Sequence, residues 1–71
     1  MNVDQFNDAL NEKKRGKWIR YGRSDMTADG TIMPPDSDIM TAAYRAYKSG
    51  KCVLVQKRVE WGIFDYIAVK L

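Results

Sequence analysis

The sequence predicts an α+β fold: one small domain over residues 1–71, with helices packed on a three-stranded antiparallel sheet that ends in a C-terminal β-hairpin. Three observations lead there. Two β-rich runs, CVLVQKRV and IFDYIAVKL, meet across Glu60, Trp61 and Gly62 as the arms of a hairpin do. Just before them, Ile39, Ala42, Ala43, Ala46 and Tyr47 recur at helical spacing. A chain of 71 residues leaves room for one core, with a thin stability margin, because small domains bury a lesser share of their surface.

In chain order, Asn2 caps a first helix over residues 3–14, which sets Val3, Phe6, Ala9, Leu10 and the stem of Lys13 on one face and stops at Gly16. Residues 17–21 alternate Trp18 and Arg20 against Ile19 and Tyr21, a short strand that Gly22 breaks. Residues 23–36 contain Asp29-Gly30 and Pro34-Pro35, so they read as an ordered loop with room for one helical turn. Asp36 or Ser37 caps the second helix and Gly50 stops it. Its outward face carries Asp38, Thr41, Arg45 and Lys48, with Tyr44 beside them. Arg45 and Lys48 also complement the helix dipole at its C-terminal end.

In the hairpin, Val53, Val55, Lys57 and Val59 alternate with Cys52, Leu54, Gln56 and Arg58. In the second arm, Ile63, Ile67, Val69 and Leu71 alternate with Phe64, Tyr66 and Ala68. Both faces are apolar near the helix, and Gln56 to Arg58 turns polar, so the hairpin is expected to leave the core and project. Val55 and Ile67 are expected in the core and Trp61 at the exposed tip. The element order is similar to that of a minimal winged-helix domain, with the second helix as recognition helix and the hairpin as wing, if residues 24–33 supply the further helix that motif needs.

The composition, 45% hydrophobic and 30% charged, is that of a globular chain. Cys52 is the only cysteine, which excludes an intrachain disulfide and favours a cytoplasmic location; it reads as a small core hydrophobe. The N-terminus lacks the apolar run of a signal peptide, and no segment is long and apolar enough to span a membrane, so no membrane role is expected. The absence of histidine excludes Ser-His-Asp and Cys-His nucleophile pairs and a His/Cys zinc site. Asp4, Asp8 and Glu12 fall on a solvated helix face, and Asp65 is placed to pair with a base on a neighbouring strand. The expectation is a non-enzymatic protein without a cofactor.

Residues 25–36 hold Asp25, Thr27 and Asp29 at alternate positions, then Gly30, Thr31, Ile32 and Asp36. The run resembles the twelve-residue calcium loop of an EF-hand, or of the related dockerin loop-helix half. The resemblance implies side-chain oxygens from Asp25, Thr27 and Asp29, a backbone carbonyl from Thr31, a sharp turn at Gly30 and closure by Asp36. Met33 stands where a polar ligand is usual, and the closing residue is Asp instead of a bidentate Glu. We read the segment first as a structural turn with Asp36 as a helix cap, and calcium as the alternative.

The net charge is +3, but the charges are segregated. Lys13, Lys14, Arg15, Lys17, Arg20 and Arg23 form a stretch without an acid, interleaved with Trp18 and Tyr21. Bases among aromatics suit phosphate contacts and stacking, while bases on an edge strand also guard it against aggregation. The first functional expectation is nucleic-acid binding, to DNA more than to RNA. Thr41, Tyr44, Arg45 and Lys48 would face the duplex, Lys57 and Arg58 flank it from the wing, and Lys14, Arg15, Lys17, Arg20 and Arg23 meet phosphates. The second is a regulatory module that binds a larger cytoplasmic protein, as inhibitor or adaptor, through Trp61, Tyr66 and the hairpin edge. Pairing of two copies as a homodimer is compatible with either. A single basic face joining Arg20, Arg45, Lys48 and Arg58 would favour nucleic acid; scattered bases with an exposed apolar patch would favour a protein partner.

Overall fold

A computed structural model describes all 71 residues of the chain. The elements run α1 (Val3–Glu12), β1 (Trp18–Arg23), β2 (Asp25–Met26), β3 (Ile32–Met33), α2 (Ser37–Lys48), β4 (Cys52–Glu60) and β5 (Ile63–Lys70). The main sheet is antiparallel with strand order β1-β5-β4, and β2 and β3 form a separate two-stranded sheet.

Asn2 caps α1 as its sequence position suggests: its side chain accepts from the Gln5 N–H at 2.7 Å while the Gln5 side chain accepts from the Asn2 N–H at 2.9 Å. The helix ends at Glu12, two residues short of expectation, and Lys13 is extended. From there the chain turns so that Gly16 N–H reaches Lys70 O at 2.8 Å and joins the sheet.

Phe6 and Leu10 of α1 and Ile39, Ala43 and Ala46 of α2 are buried against Ile19, Tyr21, Cys52 and Ala68 of the sheet. Leu54, Tyr66 and Met40 pack at the margin of this core. Ala43, Ala46 and Ala68 let helix and sheet backbones approach closely, and the Phe6 ring meets Tyr21 edge-on at 5.6 Å between centroids. Burial of these side chains is the main stabilising contribution, roughly 1.5 to 3 kcal/mol for each large one.

Two expectations need correction here. Residues 24–33 form no helix: Thr27 N–H bonds Thr31 O at 2.8 Å, Gly30 turns with φ +86°, and the chain makes the β2–β3 hairpin. The further helix of a winged-helix domain is therefore absent. Val55 is not a core residue; it is 44% exposed and, with half-buried Ile67 opposite it, lies on the sheet face away from the helices. Alternation separated the two faces correctly, but the helices cover the face of Cys52, Leu54, Tyr66 and Ala68.

Beyond the helices, the sheet continues into an elongated end, and the molecule measures 38 × 21 × 18 Å. Three features tie that end down. A β-bulge at Tyr21 and Gly22 bends β1, and Gly22 lies directly under Pro35, where an added Cβ would sit 2.5 Å from Pro35 Cγ. Buried Ser24 extends the pairing: its N–H donates to Phe64 O at 2.9 Å and its hydroxyl accepts from Phe64 N–H at 2.8 Å. Buried Gly62 packs against Met26 and Ile32 of the small hairpin, so the tip of β4–β5 is not free on both sides. No helix is long and apolar enough to cross a membrane.

Candidate interaction surface on the open sheet face

Because β4 and β5 are in register and β1 joins the other edge of β5, the residues facing away from the helices form three cross-strand rows. The first is Trp18–Val69–Val53, the second Arg20–Ile67–Val55 and the third Arg23–Asp65–Lys57. The bulge at Tyr21 and Gly22 brings Arg23 back onto this face opposite Asp65. Trp18, Val55, Ile67 and Val69, with Arg20, Lys57 and Asp65, line a shallow groove of about 640 Å³ across all three strands. Its floor is aliphatic with one indole, and its charges lie at one end.

Asp65 organises that end. Arg23 Nε donates to Asp65 Oδ1 at 2.7 Å and a second guanidinium nitrogen reaches Oδ2 at 3.4 Å, while Arg20 Nη1 lies 3.7 Å from Oδ1. The hydrogen bond from Arg23, followed by the charges of Arg23, Arg20 and Lys57, holds the Asp65 carboxyl below the usual carboxylate range. The same pair raises the Arg23 guanidinium. The expected pairing of Asp65 with a base on a neighbouring strand is thus present, across β5 and β1.

The remaining site residues named from sequence are distributed around the molecule. Lys14, Arg15 and Lys17 are exposed in the α1–β1 turn. Thr41, Tyr44, Arg45 and Lys48 line the exposed side of α2, with Lys48 Nζ 5.9 Å from the centroid of the Tyr44 ring. Arg58 pairs with Phe64 on the helix side of the sheet, whereas Arg20 and Lys57 are on the open side. The bases therefore divide between two sides of the sheet and do not form one face. Trp61 is 73% exposed at the hairpin tip. Tyr66 is half-buried on the covered face, with its ring 6.2 Å from that of Tyr21.

In the 25–36 segment, Asp25 pairs with Met33 in the β2–β3 ladder. Asp29 accepts from the Thr27 hydroxyl and from the Thr31 N–H at 3.1 Å, and these bonds, the Thr27 hydroxyl first, lower its carboxyl to about 2. Asp29 thus serves as a hairpin brace. Asp36 precedes α2 without a side-chain capping bond. Thr27, Asp29 and Thr31 are engaged with one another, and Asp25, Asp29 and Asp36 do not form a group of acids that could hold a metal ion; the chain contains no group of three or more Asp, Glu, Cys or His that could. Cys52 is fully buried, and burial pushes its thiol up despite a smaller opposing effect of Lys70.

Val53, Val55, Ile67 and Val69 did not figure among the functional candidates read from sequence. The available signal was the apolar character of both faces of the hairpin in a chain with only two amphipathic helices to cover them. No family model, curated protein or solved structure matches this chain.

Proposed function

We propose that the protein is a small, non-enzymatic protein-binding module, an inhibitor or adaptor of a larger partner, that docks through the open face of its sheet. One observation carries the reading: both helices lie on one side of a single three-stranded sheet, leaving an aliphatic groove with Trp18 across the other. An exposed apolar strip rimmed by polar residues is the kind of surface that marks protein docking sites. Trp61 at the tip is a second anchor within reach of the same partner, since aromatic side chains dominate interface energetics.

Nucleic-acid binding is the second reading. It keeps the support of Arg45 and Lys48, both exposed and neither within ion-pair distance of an acid, but its bases are divided between the two sides of the sheet. Parallel capture experiments separate the two. On the docking reading, Trp18→Ala and Val55→Glu each lose a protein that the wild type retains, with unchanged far-UV circular dichroism, while a variant with both Arg45→Ala and Lys48→Ala keeps it. DNA or RNA retention that falls steeply with salt and depends on Arg45 and Lys48, but not on Val55, would overturn the docking reading.

A further inference from the structure

We infer that the partner presents an acidic segment to this groove: apolar side chains that fill the floor, bordered by carboxylates that meet Arg20 and Lys57. The inference rests on the docking reading above and names the chemistry of the partner. Three cations, Arg20, Arg23 and Lys57, surround the single carboxylate of Asp65. Arg23 takes that carboxylate at 2.7 Å, and Arg20 reaches it only at 3.7 Å with half of its side chain exposed. Lys57 is opposite Asp65 on β4 and makes no ion pair. Asp25 and Glu60 add their charge near Arg23, at the distal end of the row. In the lining of the groove itself two bases, Arg20 and Lys57, stand against one acid, Asp65, and Arg23 already holds that carboxylate.

An acidic border on the partner complements that surplus, and complementarity of this kind selects partner and register. A second copy of this chain would meet the groove with the same surplus, so like charges would oppose one another over an apolar floor that strengthens their repulsion. A nucleic acid would supply negative charge, but single-stranded recognition on a sheet relies on successive aromatic platforms, and this floor offers Trp18 alone among valines and isoleucine.

The test uses three synthetic ten-residue peptides in which Val alternates with Glu, with Gln or with Lys, titrated into the ¹⁵N-labelled full chain. The Glu peptide is expected to shift the amides of Val55, Ile67 and Val69 and the Trp18 indole N–H, and to bind about tenfold more tightly than the Lys peptide. Replacing Arg20 and Lys57 by Gln should bring its affinity to that of the Gln peptide, a loss of about 2- to 3-fold per base. The amide spectrum of this variant reports its folding independently. Equal binding of all three peptides overturns the acidic inference and leaves apolar docking standing. No shift with any peptide at millimolar concentration also overturns it, while the capture experiment separately decides the docking reading. Concentration-dependent shifts of the same amides without peptide would assign the groove to a second copy and overturn it as well.

Discussion

Cys52 and Val53 are neighbours on β4, yet Cys52 is fully buried and Val53 is 38% exposed. The same contrast repeats along β5 and β1, where Ala68 and Ile19 face the helices and Val69 and Trp18 face away. The covered face joins the small residues Ala43, Ala46, Ala68 and Cys52 to the large ones Phe6, Leu10, Ile19 and Ile39, a combination that lets two short helices sit close to the sheet. The two rows of the open face nearest the helix-proximal end, Trp18–Val69–Val53 and Arg20–Ile67–Val55, are also largely apolar but have nothing above them, and an ion pair closes the far end of the face. Residue type alone therefore does not separate the two faces. What separates them is which side the helices can reach.

Core and surface substitutions measure that contrast directly, and the largest effect is expected on the covered face. Phe6 of α1 is fully buried against Tyr21, and Phe6→Ala should cost about 3 to 5 kcal/mol through lost transfer energy and a residual cavity. A domain of this size has roughly 4 to 10 kcal/mol in total, so the variant should be close to unfolding at room temperature in urea titration. Val55→Ala should cost about 0.5 to 1 kcal/mol, the range of half-exposed strand positions. A loss at Val55 as large as at Phe6 would mean that the open face is covered in solution, and the contrast between the faces would fail.

Much of this layout was legible in the sequence because its signals are local. The Asn2 cap, the period of α2, the Trp18/Ile19 alternation and the hairpin turn at Glu60 to Gly62 each depend on a few adjacent residues. The side of the hairpin that the helices cover was not legible, since Val53, Val55, Ile67 and Val69 are as apolar as Leu54 and Ala68. That choice depends on the reach of the α2–β4 turn at Ser49, Gly50 and Lys51, a tertiary property. The β2–β3 hairpin was missed for a related reason: its strands are two residues each and are held by Thr27, Asp29 and Thr31 side-chain bonds instead of by hydrophobic alternation. The candidate surface was only partly legible, because Arg20, Arg23 and Lys57 are far apart in sequence and meet around Asp65 only through strand register and the bulge at Tyr21 and Gly22.

An intermediate effect is expected where the helices end and the β2–β3 hairpin takes over as cover. Gly62 has φ +76° and is buried against the Met26 methyl group and Ile32. Gly62→Ala places a Cβ in the left-handed region, which costs about 1 to 2 kcal/mol, and the new methyl also meets the end of Met26. Because that end is a flexible thioether, the backbone term should dominate, so Met26→Ala in the same chain should rescue little. Urea titration of the two single variants and the double variant checks this. Full rescue by Met26→Ala would show that contact with the small hairpin, and not turn geometry, sets the position of the tip.

The smallest effect is expected from the ion pair on the open face. Asp65 has a lowered carboxyl because Arg23 donates to it, with Arg20 and Lys57 adding their charge. A carboxyl lower in the folded than in the unfolded chain stabilises the fold above its unfolded value, about 3.9, and that contribution disappears as pH falls through the folded value. Asp29, held at about 2 by Thr27 and Thr31, acts in the same direction and window. Arg23, though raised, stays charged throughout and adds no slope of its own in this range. Thermal unfolding should therefore be flat from pH 7 to about pH 5 and lose stability below about pH 4. Asp65→Asn should reduce that acid slope without abolishing it, since Asp29 remains. At pH 7 the variant should unfold only slightly earlier than the wild type, because a solvent-screened pair on a sheet face contributes little. Collapse of the fold at pH 7 on Asp65→Asn would give the open face a stabilising role comparable to that of the helix-covered core, contrary to the division between the two faces drawn from Cys52 and Val53.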